Sequence, residues 1–172
     1  MRLGQMAAVL MIGAAEAFAE TPVRQIVVSI PDKKLVLVED GKVTKVYDIA
    51  VGKAKTPSPT GTFHIASRVK NPTWFGPKVT VPPGKGNPLG TRWMGLGYKG
   101  YGIHGTNAPK SIGKAASHGC IRMRVPDAEE LFGMVAVGDE VDLVGERNEE
   151  IAKLLPETPA ATPATESTGG GQ

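Results

Sequence analysis

The segment Ser117-His118-Gly119-Cys120-Ile121-Arg122-Met123 holds the single cysteine of a 172-residue chain, two places after a histidine. A lone free cysteine is often a small buried hydrophobe. An inert core position, however, has no need of Ser117 and His118, or of Gly119 to permit a tight turn. These neighbours point instead to a reactive thiol. Thiolate is the reactive form and a free thiol ionises near ~8.5, so such a cysteine needs an imidazole or backbone dipoles close by. The chain has three histidines. His64 lies in the alternating stretch GTFHIAS and reads as an ordinary strand position. His104 ends the short apolar stretch YGIH, sixteen residues before Cys120. The intervening residues 107–116 can form a loop that returns the chain. A strand end facing a cysteine on a turn is the arrangement of a thiol nucleophile and its imidazole base. On this reading Cys120 is accessible and partly thiolate at neutral pH. His104, His118 and Cys120 are also zinc-ligand types, but a structural site wants four ligands and a fourth would have to come from His64 or a carboxylate. No metal and no cofactor are expected.

The elements that must position these groups are mostly strands. Residues 24–30 alternate into IVVSI, and residues 34–39, KLVLVE, and 42–52, KVTKVYDIAVG, are read as alternating runs too. Asp40-Gly41 between two such runs is a hairpin signal, because a type I′ turn needs positive φ at both central positions. Residues 61–67, 101–104 and 141–144 complete the predicted strands. One helix follows Pro126, with Asp127, Glu129 and Glu130 near its N-terminus and Leu131, Phe132, Met134 and Val135 on its apolar side. Residues 69–97 are rich in Pro and Gly and long for a connection, which predicts a lid or substrate wall without sheet or helix. Both tryptophans, Trp74 and Trp93, fall inside it. Gly95-Leu96-Gly97-Tyr98-Lys99-Gly100 matches a dinucleotide fingerprint, but extended residues follow it where a helix N-terminus is required, so the match is discarded.

The two ends of the chain have other characters. Residues 1–19 carry Arg2, an apolar run of nine residues and the small-x-small sequence Ala17-Phe18-Ala19, which predicts a signal peptide cut after Ala19. Nine residues are too few to cross a bilayer, which needs about twenty. No membrane anchor is expected after cleavage, and the mature protein is expected in the periplasm or cell wall. Residues 145–172 open on a possible short helix or linker and pass into a Pro/Thr/Gly-rich tail expected to be disordered. Residues 20–144 are left as one domain. The leader is neutral and residues 145–172 carry −3 of a total of +3, so the domain itself is about +6. That suits an anionic partner. No run of basic residues interleaved with aromatics speaks for nucleic acid.

IHG at residues 103–105 followed by SHGCIRM resembles the signature of the L,D-transpeptidase catalytic domain of bacterial cell walls, the YkuD type. PSPTGTFHIASRVKNPTW from Pro57, NPLGTRWMGLGYKGYGIHGTN from Asn87 and the helix sequence DAEELF are similar to the same group. The resemblance covers about residues 25–144 and implies a mainly β, sandwich or barrel-like domain with one or two short helices and a long lid loop. It implies that Cys120 attacks the third residue of a peptidoglycan stem peptide, with His104 as base and the Gly105 carbonyl orienting it. Other members carry serine where this chain has Gly105. The Gly119 N–H would help hold the oxyanion, and His118 and Ser117 would support the turn and the substrate contact. Arg122 would hold a substrate carboxylate or else pair with the acids of the helix. Apart from the resemblance, the place of Trp74 and Trp93 in the predicted lid suits them to pack on the stem of a diamino acid. Release would follow attack by an amine or by water. The acceptor is left open between a second stem peptide, an outer-membrane lipoprotein and a free D-amino acid, and a monomer is expected. The rival reading is a non-catalytic peptidoglycan-binding module of the same fold.

Overall fold

The structure is a computed structural model, and it describes residues 22–98 and 100–156. The signal peptide read at residues 1–19 and the tail from residue 157 lie outside the described residues. Twelve strands follow in chain order. They are β1 (Arg24–Ser29), β2 (Lys34–Glu39), β3 (Lys42–Gly52), β4 (Gly61–His64), β5 (Ser67–Lys70), β6 (Trp74–Phe75), β7 (Thr80–Val81), β8 (Arg92–Gly95), β9 (Gly102–His104), β10 (Ala115–Ser117), β11 (Ile121–Met123) and β12 (Glu140–Val144). Helix α1 (Val125–Met134) separates β11 from β12, and α2 (Glu149–Leu154) follows β12.

One curled mixed sheet runs β4-β12-β1-β2-β3-β11-β9-β8-β5, with β10 added beside β3. Strands β6 and β7 form a separate hairpin. The β2–β3 turn has Asp40 at φ 49° and Gly41 at φ 75°, the mirror-image turn that matches strand twist. The curl brings Ile26, Val28, Leu35 and Leu37 from one end of the sheet together with Met94, Ile103 and Ile121 from the other, under Leu131 and Phe132 of α1. Fully burying each such side chain contributes about 1.5–3 kcal/mol. The domain is mainly β with two helices, as the sequence led us to expect.

Two elements differ from the sequence reading. Strands β1 and β2 do not alternate, because Val27, Val36 and Val38 on their other face pack against Ile151 of α2. Helix α2 begins at Asn148, whose side chain accepts the Ile151 N–H at 2.9 Å, with Glu149 and Glu150 in its first turn and Lys153 in its last. Those charges suit its ends. Residues 69–97 are not one strandless loop. Strands β5 and β8 pair there with Val69 opposite Trp93, and β6 pairs β7 with Trp74 opposite Val81. The prolines did not exclude these strands, because Pro72, Pro77, Pro82, Pro83 and Pro88 all fall between them. Trp93 therefore belongs to the main sheet, and Trp74 alone rides on the separate hairpin.

Candidate active site

Strand pairing brings the singled-out residues together. In the parallel β11–β9 ladder Arg122 stands opposite His104, and in the β8–β9 ladder Trp93 stands opposite His104 from the other side. Their neighbours Ile103, Ile121 and Met94 are fully buried on the core face. The two-residue period of a strand therefore sends His104, Arg122 and Trp93 to the opposite face. The Trp93 and His104 rings stack, with centroids 5.6 Å apart and planes at 26°. Cys120 precedes β11 by one residue and shares the face of Arg122. His64 is exposed on edge strand β4 and takes no part.

The turn that carries the cysteine is closed by Ser117. Its hydroxyl donates to the Cys120 carbonyl at 2.6 Å and accepts the Gly119 N–H at 3.0 Å. Ser117 thus supports the turn from a buried position. The Gly119 N–H was expected to hold an oxyanion; in this conformation the Ser117 hydroxyl engages it. What the turn requires of Gly119 is its missing side chain. Its φ is +115°, and a Cβ there would lie 2.3 Å from Cε1 of Tyr101. The Tyr101 ring itself stacks on Tyr98 at 5.7 Å.

Electrostatically, the pair rests neutral. His104 donates from Nδ1 to the Gly105 carbonyl at 2.5 Å, which leaves Nε2 with its lone pair. Burial pushes the His104 imidazole down to about 4; the Gly105 hydrogen bond opposes this, and the positive charge of Arg122 adds to it. Burial raises the Cys120 thiol, against a Gly102 backbone hydrogen bond and Arg122, which lower it. The partly ionised resting thiol expected from the sequence is therefore not what this environment favours. This environment favours a neutral thiol and a neutral imidazole.

Two cavities meet at the sulfur. One, of about 560 Å³, is lined by His104, Ser117, His118, Cys120 and Arg122 on the sheet side and by Trp74, Phe75 and Pro77 on the hairpin side. The other, of about 530 Å³, is lined by Val69, Pro72, Thr73 and Trp93 among others. Trp74, Phe75, Leu89 and Cys120 line both, so the hairpin stands between the two openings. Both linings are mainly apolar, and Arg122 brings a fixed positive charge to the first. Arg122 does not pair with the acids of α1. Those are held by other cations, with Glu129 3.6 Å from Arg92, Asp127 3.7 Å from Arg124 and Glu130 2.5 Å from Lys45.

A sequence model of the L,D-transpeptidase catalytic domain, YkuD, matches residues 23–143. The chain belongs to this family. It is 46% identical over 118 residues to the putative L,D-transpeptidase YkuD of Bacillus subtilis, covering 69% of this chain and 64% of that protein. The chain thus spans somewhat less than two thirds of that relative's length. Among solved structures, the Ldtfm-avibactam carbamoyl enzyme superposes with a TM-score of 0.63 at 31% identity, over 73% of this chain and 50% of the other. A cysteine-to-serine mutant of the Enterococcus faecium L,D-transpeptidase superposes with a TM-score of 0.61 at 29% identity, over 70% and 49% of the two chains.

Sequence reasoning missed Lys53, whose Nζ lies 3.3 Å from Nε2 of His118 at the rim of the first cavity. It also missed Leu89, which lines both cavities. Leu89 lies in the stretch quoted from Asn87 but carries no reactive group that would single it out, and Lys53 has no local signature. Lys53 reaches His118 only because β10 pairs β3, with Ser117 opposite Gly52.

Proposed function

We propose that this protein is an exported L,D-transpeptidase that works through an acyl-enzyme on Cys120 and acts on peptidoglycan stem peptides. The observation that carries the reading is the placement of one cysteine at the meeting point of two cavities, on the same sheet face as a histidine with a fixed tautomer. His104 Nε2 takes the thiol proton as sulfur attacks the carbonyl of the third stem residue. The carbon–nitrogen bond to the terminal D-alanine then breaks, and Nε2 returns the proton to the departing amine. An incoming amine attacks the thioester, gives its proton to Nε2, and the sulfur leaves and regains it. Water in place of the amine gives carboxypeptidase activity. In this reading the Cys120 N–H donates to the developing oxyanion, and a donor of that kind contributes about 2.7–4 kcal/mol. Arg122 gives the first cavity a fixed positive charge to hold a carboxylate, and the second cavity, lined by Val69, Pro72 and Trp93, offers a route for the other peptide.

The test is intact-mass analysis after incubation with a carbapenem and with a stem tetrapeptide. The parent protein should gain a covalent adduct and release D-alanine, and Cys120→Ala should do neither. Loss of the first nineteen residues from protein recovered outside the cytoplasm would support export. A folded parent protein that gains no adduct and leaves the tetrapeptide intact would favour the rival reading, a wall-binding module.

A further inference from the structure

Asn87 has no part in the sequence motifs around the cysteine, yet it is fully buried beside the site. Its Nδ2 lies 2.7 Å from the Pro72 carbonyl and 3.2 Å from each of the Val81 and Pro82 carbonyls. Its Oδ1 accepts the Leu89 N–H at 2.8 Å. An amide group has two donor hydrogens, so three carbonyls share them while the acceptor side is also engaged. Pro72 enters the β6–β7 hairpin, and Val81 and Pro82 leave it. One side chain therefore ties both roots of the hairpin to Leu89, and Leu89 and the hairpin residues Trp74 and Phe75 line both cavities.

The connection extends to the base. Asn87 also closes a turn through its carbonyl, which accepts the Gly90 N–H at 3.1 Å. Gly90 has φ +63°, and a Cβ there would lie 2.9 Å from the Gly105 Cα. The Gly105 carbonyl is the partner of His104 Nδ1. The turn that Asn87 opens and the backbone that orients the imidazole are thus packed without an intervening side chain.

We infer that Asn87 is a positioning residue for acyl transfer, a clasp that holds the β6–β7 hairpin over Cys120 and fixes the width of both cavities. The inference rests on the proposed stem-peptide chemistry for its kinetic consequence. Its structural part stands apart from that chemistry. The Asn71 N–H also ties the entry segment to the Thr91 carbonyl at 2.8 Å, but Asn87 is the side chain that joins entry and exit of the hairpin to each other. A hairpin of two short strands is marginal in isolation.

The test uses Asn87→Asp, which keeps the volume and the acceptor toward Leu89 but replaces the donor with an oxygen facing three carbonyls. KM for a stem tetrapeptide should rise about tenfold while kcat changes little, because ground-state and transition-state contacts to the wall are lost together. Iodoacetamide should alkylate Cys120 severalfold faster, and in a Trp93→Phe background the Trp74 emission should shift to the red. These last two readouts need no substrate, so they judge the clasp even if the parent protein leaves the tetrapeptide intact. A folded Asn87→Asp protein with parental KM, alkylation rate and emission overturns the inference. So does a fall in kcat at unchanged KM, which marks only a smaller active fraction. Should Asn87→Asp not fold, Asn87→Ser takes its place, since it keeps a short oxygen near the Leu89 N–H but lacks the amide that reaches the three carbonyls. A rise in KM and alkylation rate there supports the clasp, and parental values there overturn it.

Discussion

Strands β1 and β2 and the strands around His104 belong to one sheet but solve opposite problems. The first pair is covered on both faces, by the main core and by α2, with aliphatic side chains along its centre. The strands β8, β9 and β11 are covered on one face only, by Met94, Ile103 and Ile121, and present Trp93, His104 and Arg122 on the other. The first region tolerates exchange of one hydrophobe for another if volume is kept. The second has little slack, since Gly119 lies under Tyr101 and Gly90 lies against Gly105 with no room for a methyl group. Stability is concentrated where the sheet is two-sided, and chemistry is placed where one face is left open.

Substitution at the tightest point of the open face should have the largest effect. Gly119→Ala puts a Cβ 2.3 Å from the Tyr101 ring at a backbone angle of +115°, so the turn must move. Carbapenem acylation should fall by orders of magnitude while the circular dichroism of the sheet persists. Unchanged acylation would mean that the turn is more pliable than the contact distances imply.

His104→Gln should come next. Proton transfer by a placed base contributes about 10²–10⁴-fold, and acylation should slow by that order. The same variant tests the neutral pair through pH. Folded His104 is held down to about 4 against an ordinary 6.5, so the unfolded chain takes up a proton that the folded chain refuses. Stability at neutral pH is unaffected by this group, and as pH falls from about 6.5 to about 4 it should drop by on the order of 3 kcal/mol. Denaturant midpoints across that range should decline more steeply in the parent protein than in His104→Gln. Equal slopes would separate the histidine from the acid sensitivity.

The two-sided region should show the reverse pattern. Leu37→Ala empties a fully buried position and should cost about 2–5 kcal/mol in denaturant unfolding. The acylation rate of the folded fraction should remain near the parental value. A large rate loss would show that the two halves of the sheet are coupled more tightly than this comparison holds.

A smaller effect is expected at the thiol itself. Burial raises Cys120, so its iodoacetamide reactivity should rise with pH along a curve centred above the ordinary value of about 8.5. A midpoint below that value would point to an ion pair already formed at rest. The smallest effect belongs to the surface, where the Asp48 carboxyl is lowered first by its hydrogen bond to Lys34. Both partners of that pair are nearly half exposed, so Asp48→Asn should cost no more than about 1 kcal/mol.

Much of this protein is written locally. Asp40-Gly41 specifies its hairpin because few other pairs accept two positive φ angles. Pro126 with the acids after it specifies the start of α1, and SHGCIRM with IHG marks the candidate site and the family the chain belongs to. Local chemistry was enough for these because turn angles, helix starts and motif spacings act within a few residues. Other features exist only after the sheet has curled. The stacking of Trp93 on His104, the contact of Lys53 with His118 and the Asn87 clasp each join segments whose separation in sequence gives no sign of their meeting. The same is true of charge state. Ser117, His118 and Gly119 promise a reactive thiol, but whether that thiol rests ionised depends on how much water the fold removes from it. Desolvation is a property of the assembled cleft, and here it raises Cys120 and lowers His104.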